Sequence, residues 1–120
     1  MIRKVVDDTL YVLDSDGGVV LSIKETTGDG AMIFTVGGKM TNEAAPEFED
    51  ELMTVLTIGQ RVVLDFSGLA YISAPGLNAL LAAQRLTEET SGGFYVLNLT
   101  EPVREIFEHT GFIDLIDVRQ

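Results

Sequence analysis

Residues 61–77, which read RVVLDFSGLAYISAPGL, give the clearest indication of the fold, because their pattern predicts an apolar strand, a turn and a helix in succession. Apart from Asp65, residues 62–66 are apolar, which predicts a strand buried on both faces in the middle of a sheet covered by helices. Pro75 is tolerated in the first turn of a helix, where backbone N–H groups have no helical partner. A helix is therefore predicted from Pro75 to about Glu89.

Strands and helices alternate on both sides of this stretch. Residues 19–23 and 31–36 are predicted strands, joined by a hairpin turn at 26–30 in which glycine tolerates a positive φ. Thr41 or Asn42 is the expected cap of a first helix, whose apolar positions recur at helical spacing: Phe48, Leu52, Val55, Leu56. A strand at 94–99, a helix from Thr100 to Gly111 and a last strand at 112–118 complete the chain. This order indicates crossover units around a mixed sheet.

The first 18 residues form a separate segment in this interpretation. They mix apolar and acidic residues and end in the turn cluster of residues 14–18. They are interpreted as an N-terminal arm or an extra strand before a domain at 19–118. Because an exposed sheet edge accepts strands, the arm could join its own sheet or that of a neighbour, and a homodimer stays open.

Composition narrows the classes of partner and chemistry. The chain has 120 residues and a formal net charge of −11, with no cysteine and one histidine, His109. Such a charge repels phosphate backbones and anionic lipid headgroups, so neither nucleic acid nor a membrane surface is an expected partner. Disulfides, thiol nucleophiles and cysteine- or histidine-rich metal sites are excluded. We expect no metal, no cofactor and a location in the cytoplasm, since no signal-peptide pattern is present.

The segment Ser73-Ala74-Pro75-Gly76-Leu77 has two interpretations. It opens a helix after a strand, where free backbone N–H groups and the helix dipole favour an anion such as a phosphorylated side chain. Alternatively, Ser73 is an ordinary N-cap residue followed by proline at a helix start. The residues alone leave both open.

The same segment resembles the signature of STAS domains, the family of anti-sigma factor antagonists. Residues 36–48 resemble the strand, glycine turn and helix that precede this signature, and residues 102–112 resemble the third helix and the final strand, so the likeness extends over about 19–118. The resemblance implies an α/β STAS (SpoIIAA-like) fold, with a mixed β-sheet of about four to five strands and about three helices mainly on one face. It implies no enzyme activity.

The resemblance also implies a partner and a switch. Family members bind an anti-sigma factor that is a serine kinase of the histidine-kinase-like ATPase fold, which releases a sigma factor. Phosphorylation of a serine at the start of the second helix abolishes that binding. The implied partner-binding residues here are Thr41, Ser73, Ala74, Pro75, Gly76 and Leu77.

The chain departs from the family pattern at the switch itself. The phosphoacceptor serine falls on Ala74 and the following Ser or Thr on Pro75, while the family's aspartates fall on Ser73 and Thr41. Three hypotheses stay open: an antagonist that phosphorylation cannot switch off, phosphorylation of Ser73 as a substitute, or a docking subunit of another complex such as a phospholipid transport system.

Overall fold

The computed structural model describes residues 2–90 and 92–120. Within them, seven strands, three α-helices and one short 3₁₀ turn succeed one another in this order: β1 Ile2–Val6, β2 Thr9–Leu13, β3 Val19–Gly28, β4 Ala31–Met40, α1 Ala45–Thr57, β5 Arg61–Ile72, α2 Ala74–Thr87, β6 Phe94–Leu97, α3 Glu101–Thr110, the 3₁₀ turn Phe112–Asp114, and β7 Val118–Arg119.

All of these strands form one mixed sheet whose spatial order is the order of the chain. Strands β1 to β4 pair antiparallel, and β4 to β7 pair parallel. Each parallel connection contains one helix, and such crossovers are almost always right-handed. Because all three crossovers advance in the same direction, the helices lie on one face of the sheet. The predicted α/β STAS fold is confirmed, but the sheet has more strands than the expected four to five.

The core lies between the helices and one face of the sheet. Phe34, Leu64 and Val96 are partners across β4, β5 and β6, and all three are fully buried. From the helical layer, Phe48 meets Phe66 edge-to-face, with ring centroids 6.2 Å apart. Val63 points to the opposite face and is only half-buried. The prediction that β5 is buried on both faces is therefore wrong, because no crossover covers the second face.

The N-terminal segment, predicted as an arm or an extra strand, does form strands, whereas the strand predicted at the C-terminal end is mostly absent. The N-terminal arm forms two strands, and β2 carries Leu10 and Val12 into the core while every residue of β1 is exposed. The strand expected at 112–118 is mostly a turn, in which the backbone N–H of Ile116 bonds to the carbonyl of Phe112. Only Val118 and Arg119 pair with β6.

Candidate functional site

The residues singled out by the sequence meet at the carboxyl ends of two central strands. Met40 and Ile72 are partners at the ends of β4 and β5, so Thr41 and Ser73 leave the sheet side by side. The backbone N–H of Ser73 donates to the carbonyl oxygen of Met40 at 2.9 Å. This edge of a parallel sheet is the usual place for a binding site in α/β folds. The structure therefore brings Thr41 and residues 73–77 together.

Ser73 is the N-cap of α2. Its extended backbone directs Oγ toward the first turn, where it accepts the N–H of Gly76 at 3.3 Å. Its own carbonyl accepts the N–H of Leu77 at 3.0 Å. The residue is 1% exposed. The hydroxyl is thus occupied inside the protein and does not present itself at the surface.

Ala74 and Pro75 form the exposed part of the helix start. The next two residues, Gly76 and Leu77, are buried beneath them. A Cβ on Gly76 would lie 2.8 Å from side-chain atoms of both Met40 and Ile72, so the helix approaches β4 and β5 this closely only because residue 76 is glycine. Gly76 and Leu77 fix the position of the surface that Ala74 and Pro75 present.

Thr41 stabilises the turn before α1. Its Oγ accepts the backbone N–H of Ala44 at 3.2 Å, and its carbonyl accepts that of Ala45 at 3.0 Å. The helix itself begins at Ala45, with Ala44 as an N-cap that makes no side-chain bond. The prediction of Thr41 or Asn42 as the cap is therefore wrong by a few residues, although the hydroxyl of Thr41 does satisfy an N–H group at this turn.

Two residues of this edge were not singled out by the sequence. Tyr71 is 44% exposed. It is the register partner of Lys39, which is also exposed. Exposed aromatic rings are enriched in protein-binding surfaces. The signal in the sequence was a tyrosine directly before the strand end, but only the register shows that it stands beside Lys39.

The edge is a surface and not a cavity. A concavity of about 540 Å³ lies on the helix-free face of the sheet, and none of residues 71–77 lines it. Within residues 2–90 and 92–120, no group of three His, Cys, Asp or Glu side chains could hold a metal ion. In the same part of the chain, no helix is long and apolar enough to cross a membrane.

The order of the elements and the start of α2 agree with the resemblance noted in the sequence. The family model of the STAS domain matches residues 22–120. The chain belongs to the STAS domain family. The Bordetella bronchiseptica protein BtrV, named as a putative anti-sigma factor antagonist, is 34% identical over 91 residues, which are 75% of this STAS domain chain and 78% of BtrV.

Solved structures share the fold of this STAS domain. An anti-sigma factor antagonist from Mycobacterium paratuberculosis superposes with a TM-score of 0.72 at 21% identity, over 89% of each chain. The Bacillus cell fate determinant SpoIIAA in its phosphorylated form superposes with a TM-score of 0.62 at 16% identity, over 82% of this chain and 91% of that one. The family model begins within β3, so β1 and β2 lie outside the matched region.

Proposed function

We propose that this STAS domain is an anti-sigma factor antagonist that acts in the cytoplasm by binding, without catalysis. Its partner would be an anti-sigma factor that is a serine kinase of the histidine-kinase-like ATPase fold. The observation that carries the proposal is the exposed start of α2, which stands with Thr41 at the carboxyl edge of the sheet. The similar protein BtrV is named as a putative anti-sigma factor antagonist, which supports the same assignment.

We further propose that phosphorylation at the helix start does not switch this antagonist off. Between residues 73 and 77 the single hydroxyl belongs to Ser73. That residue is 1% exposed, and its hydroxyl accepts the N–H of Gly76. A kinase would have to open the first turn of α2 to reach it. Ala74 and Pro75 are exposed but have no hydroxyl, so the accessible positions offer no acceptor.

The position would tolerate a phosphate if a hydroxyl were present. Residue 74 is the first residue of α2, where the free N–H groups and the helix dipole favour negative charge. A phosphoserine adds between about 1.5 and 2 negative charges at neutral pH, in the middle of the proposed contact surface. Loss of partner binding would then result from the desolvation and repulsion of that charge, while the fold stays intact.

The test adds a hydroxyl and asks whether the switch returns. The wild-type protein is incubated with its cognate anti-sigma kinase and Mg-ATP, and intact mass and complex formation are measured. We expect no phosphate on the wild type and a complex that survives the incubation. Ala74→Ser and Pro75→Ser place hydroxyls at the exposed positions, and at least one of them should gain one phosphate and lose the complex.

Ala70→Ser is the matched control, because residue 70 is also exposed but lies on β5 before the helix start. It should stay unmodified and bind as the wild type does. A phosphate on Ser73 in the wild type would refute the unswitched antagonist while leaving the antagonist role standing. Failure of the wild type to form a complex with any anti-sigma factor of its host would refute the role itself.

A further inference from the structure

The helix-free face of the sheet carries an apolar row across its centre. Ile33 pairs with Val63, and Val63 pairs with Tyr95, so the three side chains lie in one line across β4, β5 and β6. All three are half-buried. They line the concavity of about 540 Å³, whose lining residues include none from the three helices. No helix of the described residues covers this row.

Opposite charges stand on either side of this row along β5. Arg61 precedes Val63 by two residues and Asp65 follows it by two, so all three point to the same face. Both charged residues line the same concavity. Arg61 is exposed and, among the described residues, forms no ion pair. Asp65 accepts the backbone N–H of Ser67 at 3.0 Å, which leaves its second carboxylate oxygen available.

This arrangement is complementary to itself. Consider two copies stacked with these faces toward each other, related by a two-fold axis that lies between them and parallel to the apolar row. This rotation makes β5 of one copy run opposite to β5 of the other. It places Arg61 of each copy over Asp65 of the other and returns the apolar row onto itself. We propose that this open sheet face, defined by Ile33, Arg61, Val63, Asp65 and Tyr95, pairs with the same face of a second copy of the chain. Sheets that pack in this way lie about 10 Å apart.

Two further charged residues that line the concavity, Arg119 and Asp117, do not oppose the pairing locally. Arg119 bonds to the carboxylate of Asp117 at 2.9 and 3.2 Å. Its guanidinium also lies 4.0 Å from the centre of the Tyr95 ring. These two charges are therefore balanced within each copy. The net charge of −11 on each chain does act against association at long range, and salt screens that repulsion.

The paired area predicts a weak dimer. Three strands spaced by about 4.8 Å and five residues of about 3.3 Å each give on the order of 240 Å² per copy. Stable interfaces bury about 800 Å² per partner, so dissociation in the micromolar range or weaker is expected. The proposed dimer face is separate from the start of α2, and its success or failure is independent of the proposed antagonist role.

Charge reversal gives a sharp test by sedimentation velocity over a wide concentration range in moderate salt. Arg61→Asp and Asp65→Arg each place like charges opposite one another, so each variant alone should dimerise at least about tenfold more weakly. An equimolar mixture of the two should form a heterodimer, because the substituted positions 61 and 65 then carry opposite charges across the interface. The double variant, which carries both reversals in one chain, should recover the wild-type constant.

Several results would overturn the proposal. A wild-type protein that stays monomeric at every concentration would do so, as would dimerisation that neither single reversal weakens. Binding of a small molecule in the concavity by the monomer, with no dimer, would assign the face to another occupant. Asp65→Asn keeps the bond to Ser67 and removes the charge, so it separates lost charge from local disturbance, and equal melting temperatures show that the variants are folded.

Discussion

Ser73→Ala tests whether the start of α2 depends on one buried hydroxyl. The substitution removes the acceptor of the Gly76 N–H and leaves the backbone bond between Ser73 and Met40 in place. Because residue 73 is 1% exposed, water cannot readily replace the lost acceptor. The helix should therefore lose its cap without losing its place beside β4.

The magnitude depends on this burial. Loss of an N-cap side chain costs between about 0.5 and 2 kcal/mol, and a buried donor left unpaired places this case in the upper half of that range. For a domain of this size, each kcal/mol lowers the melting temperature by about 4 °C. We expect the melting temperature of Ser73→Ala to fall by about 5 to 8 °C.

The assay is thermal unfolding followed by circular dichroism, together with hydrogen exchange of the Gly76 amide. Thr41→Ala is the control, because Thr41 also accepts a backbone N–H but is only half-buried, so water can replace it. Its melting temperature should fall by less. A Ser73→Ala protein that melts within about 1 °C of the wild type, with unchanged exchange at Gly76, would refute the assignment of the cap.

Three further predictions concern packing and charge. Gly76→Ala places a Cβ 2.8 Å from two buried side chains, so urea denaturation should show a loss of about 1 to 3 kcal/mol. Arg3→Ala removes exposed ion pairs to Glu47 and Glu51; stability should change by about 0.5 kcal/mol, and exchange of the β1 amides should accelerate. Burial and the neighbouring Glu51 raise the pKa of Glu25 to about 7 from 4.5. The protonated carboxyl therefore stabilises the folded state at low pH, and this stabilisation is lost as the pH rises through about 7. Because glutamine cannot ionise, Glu25→Gln should flatten the dependence of the melting temperature on pH between about pH 5 and pH 8.

The helices were largely predictable because their signals are local. Pro75 and the buried positions of α2 follow the helical period, and the cap at Ser73 was one of the two interpretations of that segment. The left-handed backbone of Gly111, with φ of 81°, ends α3 as expected. Such features depend on residues within one or two helical turns of each other, and these are close together in the sequence.

The predictions failed where contacts between residues far apart in the sequence determine the local structure. The apolar residues at 112–118 suit a strand or a turn equally, and packing of Ile116 into the core selected the turn. The exposure of β1 left no alternating pattern from which to predict a strand, because only its pairing with β2 defines it.

At the site, the sequence pattern predicted which residues lie at the start of α2, but not which side chains are buried or which residues stand beside them. The burial of Ser73 depends on its bond to Met40, about thirty residues earlier in the chain. The pairing of Tyr71 with Lys39 depends on the register of two parallel strands. Neither can be read from the spacing within one segment, because both require β4 to lie beside β5.

The layout of all three crossovers on one side of the sheet has a practical consequence for measurement. The chain contains no cysteine, so one introduced thiol would be chemically unique. Lys24 is exposed on β3, opposite Thr35 on the open sheet face. A fluorophore attached through Lys24→Cys would report on that face, whereas one at Asn78, exposed on α2, would report on the helical side. Two labels of the same chemistry could thus follow two binding events on one molecule separately.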